Sequence, residues 1–180
     1  MSGGDRLEKC CKTKPLRGVF PILAMPFDRQ GRIDVEDLRT EVEFAVCAGV
    51  HGLGIAMASE IFKLSESERT RVIKSVVQQS NLRVPVVVST GAQSTDLAIY
   101  YSKSAEDLGA DAIMVTPPTQ VEMTSDLVME YFARIADSVG IPIFMQDFVS
   151  SPIEASLAAQ ISREVEGVRY LKAESPPTPV

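Results

Sequence analysis

Ser94 to Thr116 reads STDLAIYYSKSAEDLGADAIMVT, and the fold class turns on how that stretch divides. Its first part, 94–108, is amphipathic and is opened by Ser94, a residue type that caps a helix N-terminus by accepting an orphan amide. Leu108-Gly109-Ala110-Asp111 then interrupts the pattern. Glycine at such a joint suits the left-handed residue that ends a helix. Ala112 to Thr116 follows as a short apolar run, which reads as a buried strand.

The same helix, turn and strand recur in both directions. Further strands are expected at Val19 to Met25, Gly52 to Met57, Val84 to Thr90, Ile141 to Gln146 and Val168 to Ala173. Helical stretches lie at about 34–48, 65–80, 124–138 and 153–165, with Asp34, Ser65 and Thr124 or Ser125 as capping residues. Ser65 and Glu68 form a capping box, in which hydroxyl and carboxylate each satisfy the other's backbone amide. Ala48-Gly49-Val50 and Val139-Gly140-Ile141-Pro142 are joints of the same kind. Alternation of this sort builds βαβ units and a parallel sheet, closed into a barrel or doubly wound; the spacing does not choose between them.

Composition removes several function classes. The 180 residues are 45% hydrophobic and 23% charged with a net charge of -6, a balance that points to neither nucleic acid nor an anionic membrane as partner. Residues 1–17 contain no apolar run and read as a mobile leader, not as a signal peptide or a membrane span. Residues 175–180 are proline-rich and read as an extended tail. Cys10, Cys11 and Cys47 are odd in number and two are adjacent, which argues against a disulfide framework and for a reducing, cytoplasmic setting. His51 is the only histidine, so histidine triads and histidine-rich metal sites are excluded, and no metal is expected. No glycine-rich phosphate loop is present, so no nucleotide cofactor is expected either. Chemistry here must use lysine, carboxylates or hydroxyls.

In parallel α/β folds the ligand sits at the carboxyl ends of the strands. The apolar runs end in Ser59 and Glu60, Ser89 and Thr90, Thr116, Gln146 and Asp147, and Lys172 with Glu174. Strand periodicity puts Val168, Tyr170, Lys172 and Glu174 on one face. A lysine near a strand end is ordinarily a solvated charge, but an amine with apolar walls loses proton affinity and can attack a ketone. Glu174 reads equally as a proton-transfer group beside that amine or as a structural carboxylate paired with a neighbouring cation.

Five segments, 18–28, 52–69, 84–91, 109–117 and 141–172, follow the order and spacing of a known family. Ala24-Met25-Pro26-Phe27-Asp28 stands where that family ends its first strand. Ala56-Met57-Ala58-Ser59-Glu60 and Leu64-Ser65-Glu66-Ser67-Glu68-Arg69 stand at its second-strand loop, and Lys172 at its imine lysine. On these motifs the chain resembles the dihydrodipicolinate synthase and N-acetylneuraminate lyase family of Schiff-base aldolases. Ala58-Ser59-Glu60-Ile61-Phe62, Thr116-Pro117-Pro118, Ile141 to Asp147 and Val168 to Glu174 make it most similar to the L-2-keto-3-deoxyarabonate dehydratase-like branch.

The resemblance implies a (β/α)8 TIM barrel that needs no cofactor, and a homo-oligomer, tetramer or dimer. Such a barrel typically takes about 250 residues, so residues 18–174 are expected to hold its first six units, truncated after the sixth strand. It also implies a lyase acting on a small-molecule 2-keto acid: Lys172 forms the imine, Glu174 and Gln146 assist it, and Met57, Ala58 and Ser59 receive the substrate carboxylate. The favoured reaction is dehydration or aldol cleavage of a 2-keto-3-deoxy sugar acid. Dihydrodipicolinate synthases place a proton-shuttling tyrosine where this chain has Gln146, which cannot titrate, and the loop hydroxyls are replaced by Met57 and Ala58. An aldol condensation with pyruvate is therefore the alternative, beside a truncated paralogue without turnover.

Overall fold

A computed structural model describes residues 16–175. The leader before Leu16, with Cys10 and Cys11, and the tail beyond Ser175 lie outside the described residues. The elements are α1 (Val35–Cys47), β1 (Leu53–Ile55), two 3-10 turns (Met57–Ser59 and Ile61–Lys63), α2 (Glu66–Ser80), β2 (Val86–Ser89), α3 (Thr95–Asp107), β3 (Ala112–Val115), α4 (Ser125–Ala136), β4 (Ile143–Asp147), α5 (Ala155–Glu164) and β5 (Val168–Ala173). The strands follow one another in sheet order as they do in sequence, and β1 pairs with β2, β3 with β4 and β4 with β5 in parallel. No helix among the described residues is long and apolar enough to cross a membrane.

The helix starts follow the capping chemistry. Asp34 accepts the amides of Glu36 and Asp37, Thr124 accepts that of Leu127, and Ser65 with Glu68 forms the reciprocal box at α2. Two compact units result, one from residues 16–89 with 107–112 and the other from 90–106 with 113–175.

In the first unit α1 and α2 cover β1 and β2, burying Leu38, Val42, Leu53, Ile55, Val72 and Val76. The strand expected at Val19 to Met25 is not a regular strand. It runs extended beside β1, with a single parallel bridge between Ile22 and Gly54. The Pro21 carbonyl accepts the Gly54 amide at 2.9 Å and the Leu23 amide reaches the Gly54 carbonyl at 2.9 Å. Pro21 itself has no N–H to donate, so the ladder cannot continue through it. Glycine is needed opposite: a Cβ on Gly52 would fall 1.9 Å from the Phe20 ring.

In the second unit α3, α4 and α5 pack with β3, β4 and β5 around Ile113, Val115, Phe132, Ile135, Ile143, Met145 and Ile161. Every residue of β3 is buried, as a strand covered on both faces should be. β5 alternates instead: Val168 is buried, while Arg169, Leu171 and Ala173 are exposed. Tyr170, Lys172 and Glu174 therefore share the other, half-buried face.

Candidate functional site

The polar residues that the second unit gathers lie at the carboxyl ends of β3, β4 and β5. Parallel pairing sets Gln146 against Lys172 and Asp147 against Ala173. Gln146 is 1% exposed, and both ends of its amide are committed. Thr116 Oγ1 donates to Gln146 Oε1 at 3.1 Å, and Gln146 Nε2 donates to Glu174 Oε2 at 2.7 Å. The other carboxylate oxygen of Glu174 pairs with Lys172 Nζ. A hydroxyl, an amide, a carboxylate and an amine thus stand in one line across three strand ends.

Orientation follows from this chain of donors. Thr116 presents its proton to the glutamine oxygen, which turns the NH2 toward Glu174 and fixes which way the amide points. The lysine and glutamate side chains are 29% and 36% exposed, so both can be reached from solution. One strand period earlier on the same faces, Phe144 and Tyr170 stack with ring centroids 4.4 Å apart and planes inclined by 17°. That stack supplies an apolar floor next to the amine.

Asp147 is 6% exposed and has a different task. Its carboxylate accepts the Ile153 amide at 3.0 Å, the Ser175 amide at 2.9 Å and the Ser175 hydroxyl at 2.7 Å. Burial pushes this carboxyl up, yet the donors from Ile153, Ser175 and the Glu174 amide outweigh it and hold the group below the usual carboxylate range. Tyr131 supports the Thr116 end. Its phenol oxygen is 3.1 Å from both the amide and the carbonyl of Ala92 and 3.4 Å from the Thr116 carbonyl. Burial raises this phenol to about 12. Gly91 permits the close approach, since a Cβ there would meet the Thr116 carbonyl oxygen at 2.5 Å.

Met57, Ala58 and Ser59 belong to the first unit, on the 3-10 turn after β1. Met57 is half-buried and Ala58 exposed. Ser59 is fully buried; its hydroxyl donates to the Leu23 carbonyl and accepts the Ala56 amide at 3.1 Å. The hydroxyl expected at a substrate carboxylate is thus engaged in tying the turn to the extended segment. Glu60 follows in the left-handed region with φ of 54° and pairs with Lys63 at 2.8 Å, as a loop organiser would. Sequence reading singled out Lys172, Glu174 and Gln146 but gave no role to Thr116, Tyr131 or Ser175. Their partners are between 15 and 39 residues away, and no local pattern announces them.

A primary amine beside a carboxylate, open to solution and backed by an aromatic floor, can add to a carbonyl and pass protons. Known proteins share the plan of this chain. The chain is 34% identical over 166 residues to an L-2-keto-3-deoxyarabonate dehydratase from Azospirillum brasilense, covering 89% of this chain and 54% of the relative. It is 36% identical over 166 residues to a 4-hydroxy-tetrahydrodipicolinate synthase from Methanopyrus kandleri, covering 89% and 55%. A crystal structure of the Acinetobacter baumannii dihydrodipicolinate synthase complexed with pyruvate superposes with a TM-score of 0.85 at 26% identity, covering 88% and 55%. The chain therefore spans about half the length of the relatives it matches. A profile of the dihydrodipicolinate synthetase family matches residues 15–151. With most of its length inside that profile and its parallel sheet superposing on solved members, this chain belongs to the dihydrodipicolinate synthetase family.

Proposed function

We propose that Lys172 forms an imine with the carbonyl carbon of a 2-keto acid, and that the chain takes part in dehydration or aldol cleavage of a 2-keto-3-deoxy sugar acid. The observation that carries this reading is the ion pair of Lys172 with Glu174, whose other oxygen is held by Gln146 at 2.7 Å. The amine adds to the ketone and water leaves, giving an iminium that draws electrons from the adjacent carbon. Glu174 takes the proton from that carbon to form the enamine, then returns it to the departing hydroxyl, so that one water is lost from the sugar acid. Gln146 cannot titrate and keeps Glu174 aimed throughout.

For the turn at Met57, Ala58 and Ser59 we retain the carboxylate-binding role that the family resemblance implies. Backbone amides would carry it, since the Ser59 hydroxyl is engaged elsewhere. On the same family ground we infer a homo-oligomer, tetramer or dimer, working in the cytoplasm without an added cofactor. A second reading, condensation of pyruvate with an aldehyde partner, is favoured by the identity to 4-hydroxy-tetrahydrodipicolinate synthases. The glutamine at position 146 counts against it, as no titrating phenol stands there.

Borohydride trapping decides between these readings and a chain without chemistry. Incubation with pyruvate, or with a 2-keto-3-deoxy sugar acid, should leave a reduced adduct on Lys172 that peptide mapping locates and Lys172→Ala removes. Release of the dehydrated product from the sugar acid then selects dehydration over condensation. A folded sample that yields no adduct with either compound would overturn the imine assignment.

A further inference from the structure

We infer that Asp147 is a positioning residue that sets the place of Glu174 by gripping the backbone just beyond it, an inference whose catalytic meaning rests on the imine chemistry proposed above. Asp147 ends β4, and Glu174 and Ser175 follow β5, the strand paired with β4. One carboxylate collects the Ser175 amide and hydroxyl and, from the loop before α5, the Ile153 amide. Each of these donors is neutral, and two of the three belong to Ser175. A salt bridge would only hold a side chain, whereas this arrangement holds a stretch of main chain.

The consequence lies one peptide away. Glu174 has left the regular strand, so ladder hydrogen bonds do not fix its φ and ψ. Its carboxylate nevertheless meets both Gln146 Nε2 and Lys172 Nζ. Those two partners stand on neighbouring strands, and a glutamate reaches both only if its Cα is fixed between them. Asp147 provides that fixed point. An asparagine in its place keeps one carbonyl oxygen but turns an NH2 toward amide protons, donor against donor.

The Gln146 side-chain amide reports the position of Glu174 without any turnover. In proton–nitrogen correlation spectra of the full chain, the NH2 resonance that vanishes in Gln146→Leu should be displaced in Glu174→Gln, where the acceptor loses its charge. Asp147→Asn should displace the same resonance in the same direction by a comparable amount. With pyruvate as probe, borohydride trapping on Lys172 should slow about tenfold in Asp147→Asn, as misplacement of a reacting group predicts. Adding Asp147→Asn to Glu174→Gln should cost nothing further, because the two act as one. An unmoved Gln146 resonance in folded Asp147→Asn, or losses that multiply in the double variant, would overturn the inference. If Asp147→Asn does not fold, Ser175→Ala removes one donor and preserves the charge; it should displace the resonance by a smaller amount, and no displacement is again fatal. Should the parent chain trap no pyruvate, the imine reading fails, and the Gln146 resonance still decides the role of Asp147.

Discussion

Glu43 and Glu174 are both carboxylates held by nitrogen donors, and they differ in the kind of partner that holds them. Glu43 on α1 takes both arms of the Arg83 guanidinium at 2.7 and 2.9 Å, the Gln79 amide at 3.0 Å and the Cys47 thiol. These hydrogen bonds, that of Arg83 foremost, lower it from the ordinary 4.5 to about 2. An open cavity of about 490 Å³ lies beside it, lined by Glu36, Arg39, Thr40, Gln78 and Gln79. Glu174 has fewer partners, an amide and an amine. Yet the guanidinium never gives up its proton, and a carboxylate held by it stays ionised until the pH nears 2. Lysine can release its proton and become a nucleophile. On the function proposed above, the kind of partner, more than the strength of pairing or the size of the nearest cavity, separates the two clusters.

The largest expected effect breaks the comparison outright. Lys172→Ala should abolish the borohydride-trapped adduct, while Arg83→Ala, which disrupts the stronger-looking cluster, should leave trapping intact; peptide mass mapping of the two variants decides. Next comes Gln146→Leu, which strands the buried Thr116 hydroxyl and one oxygen of Glu174. Leaving the buried hydroxyl unpaired costs about 1–3 kcal/mol, so the urea midpoint should fall along with the trapping rate. Gly91→Ala should destabilise by about 1–3 kcal/mol through forced backbone movement, because its Cβ would meet Thr116 at 2.5 Å. Thermal melting measures that, and an unchanged melting temperature would mean the Tyr131 support can yield freely.

The smallest effect sharpens the other half. Glu43 has a folded value depressed from 4.5 to about 2, so its stabilisation is present above 4.5 and is lost as pH falls toward 2. The difference in urea midpoint between the parent chain and Glu43→Gln should accordingly be steady at neutral pH and shrink across that window. The pair is solvent-exposed, which keeps the difference modest.

Local features of the sequence were legible because their causes are local. Ser65 and Glu68 are three residues apart, and the capping box they announce is present. Alternation along Val168 to Glu174 placed Lys172 and Glu174 on one face, where they form an ion pair. The repeated helix, turn and strand yielded a parallel sheet in sequence order. The segment at Val19 to Met25 reads as a strand from its apolar content, while the structure holds it by a single bridge because Pro21 lacks the amide that would extend the ladder. Ser59 looked free as a loop hydroxyl, but its acceptor is Leu23, 36 residues earlier. Asp147 and Ser175, 28 residues apart, meet only once β4 and β5 have paired. Periodicity can say which way a side chain faces; it carries no information about which distant backbone atom waits there.

Tyr131 turns the support of Thr116 into an optical signal. The chain has four tyrosines and no tryptophan, so its near-ultraviolet absorbance is a tyrosine spectrum. Desolvation puts the Tyr131 phenol at about 12 where an open phenol ionises near 10. Its protonated form is favoured by folding, so the stability it lends is whole below 10 and drains away as pH climbs toward 12. In a fast jump to alkaline pH, this phenol must wait for its hydrogen bonds at Ala92 and Thr116 to break before it ionises. The delayed fraction of the tyrosinate absorbance would then clock how often the mouth of β3 comes open.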